Sequence, residues 1–407
     1  MVRLLSSGKL SNKAIVVILA VIIVVSVSSL MYVNIIGRTP TTTTSPTTTA
    51  TTSPTTTATT QPTTPGRVYV VMGGATFVNP QMQAWIKKYM GSVDASAVIE
   101  YQSIGSGAGE AKFIDRALDV GVSDVGISRV GYEKLVNSSR KFIQIPLIAG
   151  AVAITYNLPE WNESVCGPLR LTGEVVADIY LGKIIYWNDD RIKSLQVERC
   201  RDLLPRKEIV GVHRSDGSGT TALFTTFLSK ISREWFEKVG YGYTVDWPRD
   251  KLGLGEGGRG NEGVTAKVKA TPYSIGYVEV AYAIQQNLPV AAIRNKDGNF
   301  VIPNVTTIAT ALERAAPELP PPEAFWGDLP WSYMYREGVN SYPIVGTPVA
   351  IIDLETSIEK LDVIKKFFRW VLTEGQKPEN VVEGFIPLPK AMAEKALQYL
   401  EKIPSKG

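Results

Sequence analysis

The segment VHRSDGSGTT, Val212 to Thr221, follows the apolar run Ile209 to Val212 and leads into a helix whose Leu223, Phe224, Phe227 and Leu228 share a face. A glycine turn that enters a helix leaves the first backbone N–H groups without intrahelical acceptors, and the helix dipole adds partial positive charge. Ser218, Gly219 and Thr220 therefore read as an anion cradle with exposed amides. Arg214 adds a full charge and a planar donor fork that fits an oxyanion. Asp216 is the informative member. A carboxylate beside an anion repels it unless the anion carries a proton that the carboxylate accepts.

Two other segments repeat this chemistry. In GGATFVNP, Gly73 to Pro80, Thr76 and Phe77 stand just before a helix that Asn79 can cap with Pro80 at its first position. In SIGSGAGEAKF, Ser103 to Phe113, the stretch Gly105 to Gly109 reads as a tight turn with Ser106 at its mouth. Asp124 ends a short strand in DVGVSD, Asp119 to Asp124, and is a second candidate proton acceptor. Helix capping accounts for each Ser or Thr taken singly. Three helix starts, three hydroxyls, one arginine and two aspartates together describe a site for a dehydrated, protonated tetrahedral anion. Monohydrogen phosphate carries such a proton near neutral pH and sulfate does not, so the aspartates act as a filter between anions of one shape.

Competing chemistries fit less well. His213, Ser215 and Asp216 are too close in sequence to form a hydrolase relay, and there is no G-x-S-x-G elbow. His213 is expected to tune or cover the site instead. Gly253, Gly255 and Gly258 match G-x-G-x-x-G, but the preceding DWPRDKL is no buried strand, so the stretch reads as a flexible loop near the cleft. Trp187 with Tyr186, and Trp326 with Trp331, read as packing residues. One histidine and two cysteines are too few for an ordinary structural zinc or multi-histidine centre, and no metal, cofactor or catalytic residue is expected. Four of the 43 basic residues, Arg3, Lys9, Lys13 and Arg38, precede residue 67, where no acid occurs, so the remainder carries 39 charges of each sign. That balance argues against nucleic acid as a partner.

The elements that must position these residues alternate short apolar runs with amphipathic helices, an α/β pattern. Met82, Ile86, Tyr89 and Met90 line one helical face; Val98 to Tyr101 reads as a strand; Phe113, Ile114, Ala117 and Leu118 read as the buried face of the next helix. Leu361, Ile364, Phe368 and Val371 give another stripe, closed by Gly375. About 340 residues follow the N-terminal region, a length that favours two lobes. That region begins with a basic stretch, 1–13, followed by an uncharged apolar segment over 14–36, long enough to span a bilayer with its N-terminus inside. A cleaved signal peptide is the alternative, although no small-x-small site closes the run. Residues 37–66 are nearly all Thr, Ser, Pro and Ala, with TTSPTTTA twice in succession, and read as an extended stalk, O-glycosylated or bare. Cys166 and Cys200 are a candidate disulfide in an external compartment, with two separate thiols as the alternative. Sequons at Asn137, Asn162 and Asn304 fit the same exposure.

VHRSDGSGTT, GGATF, YQSIGSGAGEAKFIDRALDVGVSD, DIYLGKIIYWND, GLGEGGRGNEGV and SIGYVEVAYA together resemble the phosphate-binding proteins of high-affinity phosphate ABC transporters, from Val68 to about Ile403. The resemblance implies a type II periplasmic-binding fold, two α/β domains joined by a hinge with the ligand in the cleft. It implies lobe I over 67–146 and 295–407 and lobe II over 147–294. The implied ligands are Thr76, Phe77, Ser106, Asp124, Arg214, Asp216, Ser218, Gly219 and Thr220. The implied activity is extracellular capture of inorganic phosphate by a monomer tethered to the cell membrane, which delivers it to permease subunits. Val78 stands where many relatives have proline, and Gly107 where some have a second serine. Another oxyanion (phosphonate, molybdate or sulfate) and a surface phosphatase are the alternatives.

Overall fold

A computed structural model describes residues 66–313 and 319–405. The expected anchor and stalk lie outside the described residues, and among those described no helix is long and apolar enough to cross a membrane.

Two five-stranded sheets form the centres of the two lobes. The first joins β1 (Val68–Gly74), β2 (Ala97–Ser103), β3 (Val120–Ser123), β4 (Phe142–Pro146) and β13 (Val349–Asp353) in the order β2-β1-β3-β13-β4. The first three strands run parallel, and β13 lies antiparallel to both of its neighbours. The second sheet contains β5 (Gly150–Asn157), β7 (Val210–Arg214), β8 (Gly255–Gly258), β9 (Ser274–Glu279) and β12 (Val345–Gly346), in the order β12-β5-β9-β7-β8. A small third sheet is made by β6 (Arg170–Leu171), β10 (Ala292–Arg294) and β11 (Phe300–Val301). The chain passes between the large sheets at 147–149 and again at 347–348, so β11 and β12, from the 295–407 segment, pair with strands of the 147–294 segment.

The central strands of both sheets are largely apolar and buried because helices cover both faces. Every residue of β3, β4, β9 and β13 is buried. The helix Asn79–Ser92 buries Met82, Ile86 and Tyr89 of the expected face and Trp85 beside them, with Met90 only partly buried, and Ile358–Leu372 buries Leu361, Ile364, Phe368 and Val371, as the periodicity predicts.

Three local readings are corrected. The helix after β2 begins at Ser106, so Gly107 to Gly109 form its first turn, and it ends at Ile114. Arg116 takes a positive φ of 60° and turns the chain out of the helix before Ala117 and Leu118. The helix Asn79–Ser92 starts at Asn79, with Val78 at the cap position and no side-chain cap; the Asn79 carboxamide instead accepts from Gln83. The glycine-rich stretch read as a loop is β8, paired in parallel with β7 and followed directly by the helix Gly260–Ala270. Its pairing register, Gly211 with Gly255 through Arg214 with Gly258, comes from a strand forty residues away, which local composition does not reveal.

Cys166 and Cys200 are joined in a disulfide, which ties the short helix Glu163–Cys166 to the 3-10 turn Glu198–Leu203. Asn137, Asn162 and Asn304 are all exposed.

Candidate functional site

Each sequence-predicted residue lies just past the carboxyl end of a parallel strand, where the following helix presents its N-terminus. Thr76 and Phe77 follow β1, Ser106 follows β2 and Asp124 follows β3; Arg214 ends β7 and leads to the turn that opens the helix Gly219–Ile231. Ligands of open α/β sheets collect at such strand ends. Thr76, Ser106, Asp124, Arg214, Ser218 and Thr220 are all buried polar residues. Arg140 and Asp353 are also buried but pair with each other elsewhere in the first lobe, and Glu110 accepts from Ser128 and from the second lobe's Tyr243.

The two lobes meet through these residues. The Gly107 N–H donates to the Gly217 carbonyl (3.0 Å), and the Thr220 hydroxyl donates to Asp124 Oδ2 (3.2 Å). Gly219 is required by this closeness, because a Cβ there would lie 2.6 Å from Ser106 Oγ and 2.7 Å from Asp124. Tyr243 of the second lobe sets its hydroxyl 2.7 Å from both Ser123 Oγ and the Gly126 carbonyl of the first.

The two aspartates have different tasks. Asp216 accepts from Arg214 Nε (2.7 Å) and Nη2 (2.5 Å) in a bidentate pair, and from the Gly260 N–H (3.1 Å). Burial pushes its carboxyl upward, but the bonds and charge of Arg214 and the Gly260 amide outweigh that and hold it below the usual range. Both of its oxygens are engaged, so its part is to hold the guanidinium in place. Asp124 is the opposite case. Burial raises its carboxyl to about 7, opposed only in part by the Arg214 charge and the Thr220 hydroxyl. Its Oδ1 is fully buried and has no hydrogen-bond partner among the described residues. A buried acceptor left open at the meeting point of several donors is the usual mark of a ligand contact.

The donors are hydroxyls and amides. Ser218 caps its helix by accepting from the Thr221 N–H (3.0 Å), so its own hydroxyl hydrogen is available. The Ser218 amide, expected to be open, is not: it donates to the Tyr243 carbonyl (2.9 Å). The amides of Gly219 and Thr220 head the first helical turn and have no intrahelical acceptor. The Phe77 amide has no partner among the described residues. His213 faces away from this group. Its Nε2 meets Asp250 Oδ1 (2.9 Å), its ring stacks on Trp247, and it supports Arg214 only through that residue's backbone carbonyl. Its partner is thus neither Ser215 nor Asp216.

Residues outside the expected set also converge here. Tyr277 accepts from the Arg214 N–H (3.1 Å), and the Tyr282 hydroxyl donates to the Thr76 carbonyl (2.7 Å). Asn261, fully buried at the start of the helix Gly260–Ala270, contacts both Thr76 and Thr220. The sequence signal for Asn261 was a Gly-Asn pair opening a helix after a glycine-rich strand.

Comparison with known proteins bears on the family and the fold. A family model described as a PBP superfamily domain matches residues 43–374. The phosphate-binding protein PstS of Methanocaldococcus jannaschii is 43% identical over 345 residues, covering 83% of this chain and 87% of the relative. The chain belongs to the PstS family. The PstS protein of Pasteurella multocida is 39% identical, with 79% of this chain and 87% of that protein covered. Among solved structures, a phosphate-binding protein from Stenotrophomonas maltophilia aligns with a TM-score of 0.55 at 20% identity, over 81% of this chain and 93% of that one. That likeness supports the two-lobed type II periplasmic-binding fold.

Proposed function

We propose that the chain is a monomeric extracellular receptor that captures inorganic phosphate in a protonated form, HPO4 or H2PO4, and delivers it to the permease subunits of an ABC transporter. The observation that carries the ligand assignment is the open acceptor Asp124 Oδ1, set among donors on both lobes. A site with one buried acceptor and many donors suits an oxyanion that brings a proton of its own. The names of the PstS relatives support the same ligand. The donors in this reading are the hydroxyls of Thr76, Ser106 and Ser218, the amides of Phe77, Gly219 and Thr220, and the Arg214 guanidinium; Asp216 acts through Arg214. Sulfate and molybdate lack the proton at neutral pH and would leave Asp124 unpaired. A phosphatase reading finds no support in His213, whose ring is held by Asp250 and Trp247. Binding of radiolabelled phosphate, competed with sulfate, molybdate and a phosphonate, tests this: displacement by sulfate at concentrations similar to unlabelled phosphate would refute it.

The two lobes are proposed to be built on the sheets of 67–146 with 349–407, and of 150–346, with the connections at 147–149 and 347–348 as the hinge; the boundary expected at 294/295 moves to 347–348 because β11 and β12 pair with strands of the second lobe. The apolar run over 14–36 is proposed as an uncleaved anchor and 37–66 as a glycosylated stalk, which together keep the receptor on the outer face of the cell membrane. The basic flank of Arg3, Lys9 and Lys13 supports that orientation. Protease applied to intact cells should release a fragment that starts in the stalk; a mature protein that already begins there would show that the leader is cleaved.

A further inference from the structure

We infer that Asn261 is a positioning residue that acts through the hydroxyls of Thr76 and Thr220, fixing which atoms of the cleft donate and which accept. The inference rests on the phosphate reading above and deepens it. The orientation of the Asn261 carboxamide is set from behind, because its Oδ1 accepts the Glu279 N–H (2.9 Å). Its Nδ2 therefore faces the cleft and donates its two hydrogens to Thr76 Oγ1 (2.9 Å) in the first lobe and Thr220 Oγ1 (3.2 Å) in the second. One buried side chain thus holds a hydroxyl from each lobe.

A hydroxyl carries one hydrogen and two lone pairs, so when its neighbour can only donate, its hydrogen must point elsewhere. At Thr220 that hydrogen goes to Asp124 Oδ2 (3.2 Å), which occupies one carboxylate oxygen and leaves Oδ1 as the open acceptor. At Thr76 the constraint is tighter. Its oxygen accepts from both Nδ2 and the backbone N–H of Asn261 (3.2 Å), so both lone pairs are engaged. The Thr76 hydrogen has no acceptor among the described residues and is left for the ligand. Asn261 thereby makes Thr76 an obligate donor and, through Thr220, leaves Oδ1 as the Asp124 oxygen open to the ligand. It does so without supplying any ligand contact.

Phosphate titrations on the full chain test this through a double-mutant cycle of Asn261→Ala with Thr76→Val. The expected result is that Asn261→Ala weakens binding about tenfold or more, as loss of support for a hydrogen bond to a charged group would. In the Thr76→Val background, where no hydroxyl remains to orient, the same change should weaken binding at least about threefold less. An equal loss in both backgrounds would overturn the inference, since Asn261 would then act on the fold, and so would no loss in the wild-type background. Failure of the wild type to bind phosphate would refute the ligand assignment instead. Should thermal melting show that Asn261→Ala does not fold, the cycle is run with Asn261→Asp, which keeps the shape and the acceptor for Glu279; the same criterion, a loss that shrinks with valine at 76, decides it.

Discussion

Replacing Asp124 with Asn should stabilise the ligand-free protein at alkaline pH and leave it nearly unchanged in acid. Burial raises the Asp124 carboxyl from the ordinary 3.8 to about 7 in the folded chain. For an acid raised on folding, the native state holds the proton that the unfolded chain releases between those two values. The associated stability is therefore fully present below pH 3.8 and is lost as pH rises through 7. At 1.36 kcal/mol per pH unit, the loss from acid to pH 8 amounts to about 4 kcal/mol. An asparagine has the shape of the protonated aspartate and does not titrate, so it escapes this loss. Chemical denaturation of both proteins in phosphate-free buffers from pH 4 to 8 measures the difference directly. The stability of Asp124→Asn minus wild type should climb with pH and level off above 7. A difference that stays constant across the range would show that Asp124 is not a buried carboxyl with a raised pKa, and the open-acceptor argument would fall with it.

Three other changes probe the remaining parts of the site and the scaffold. Arg214→Ala removes the buried guanidinium, and loss of one partner in such a pair costs about 2 to 5 kcal/mol, so calorimetry should show phosphate affinity reduced roughly 30-fold or more; Arg214→Lys should not restore it, because an ammonium lacks the fork. Asp216→Asn should also weaken phosphate binding, through looser placement of Arg214, yet leave the ratio of phosphate to sulfate affinity unchanged in competition titrations, since both of its oxygens already serve the protein. Replacing Cys166 and Cys200 together with alanine opens a loop of 34 residues' separation and should lower stability by about 4 kcal/mol on chain-entropy grounds, read as a shifted denaturation midpoint with phosphate affinity retained.

What the sequence revealed of the site was what local spacing encodes. Arg214, Asp216 and the glycine turn lie within seven residues, and the helix that follows carries its own apolar stripe, so their proximity needed no tertiary knowledge. Asp124 was visible because a strand of four apolar or small residues ends on it. The division of labour between the aspartates was not visible, because it depends on which carboxylate reaches the guanidinium and which is enclosed by the opposite lobe. The Ser218 amide looked open for a similar reason: its acceptor is the Tyr243 carbonyl, twenty-five residues on and beyond two helices. β8 carries only glycine and glutamate, and its strand character comes from pairing with β7 rather than from any alternation of its own. Asn261 escaped notice because the glycine-rich stretch before it reads as a loop, so nothing in the local sequence placed a helix start there. Only its contacts with Thr76 across the cleft and with Thr220 in its own lobe assign it to the site.

The central claim is that Asp124 selects an oxyanion that brings a proton. Its most direct test is the ratio of phosphate to sulfate affinity in wild type and in Asp124→Asn, titrated side by side by calorimetry at pH 9, where the Asp124 carboxyl is ionised and phosphate still carries a proton. At that pH the carboxyl must either face sulfate ionised and unpaired or take a proton at a cost of about 2.7 kcal/mol, two units above its pKa of about 7, and an amide that can donate removes that cost. Wild type should therefore exclude sulfate by at least about 100-fold relative to phosphate, and Asp124→Asn should lose most of that preference. An equal ratio in the two proteins would contradict the account, since the selectivity would then owe nothing to Asp124.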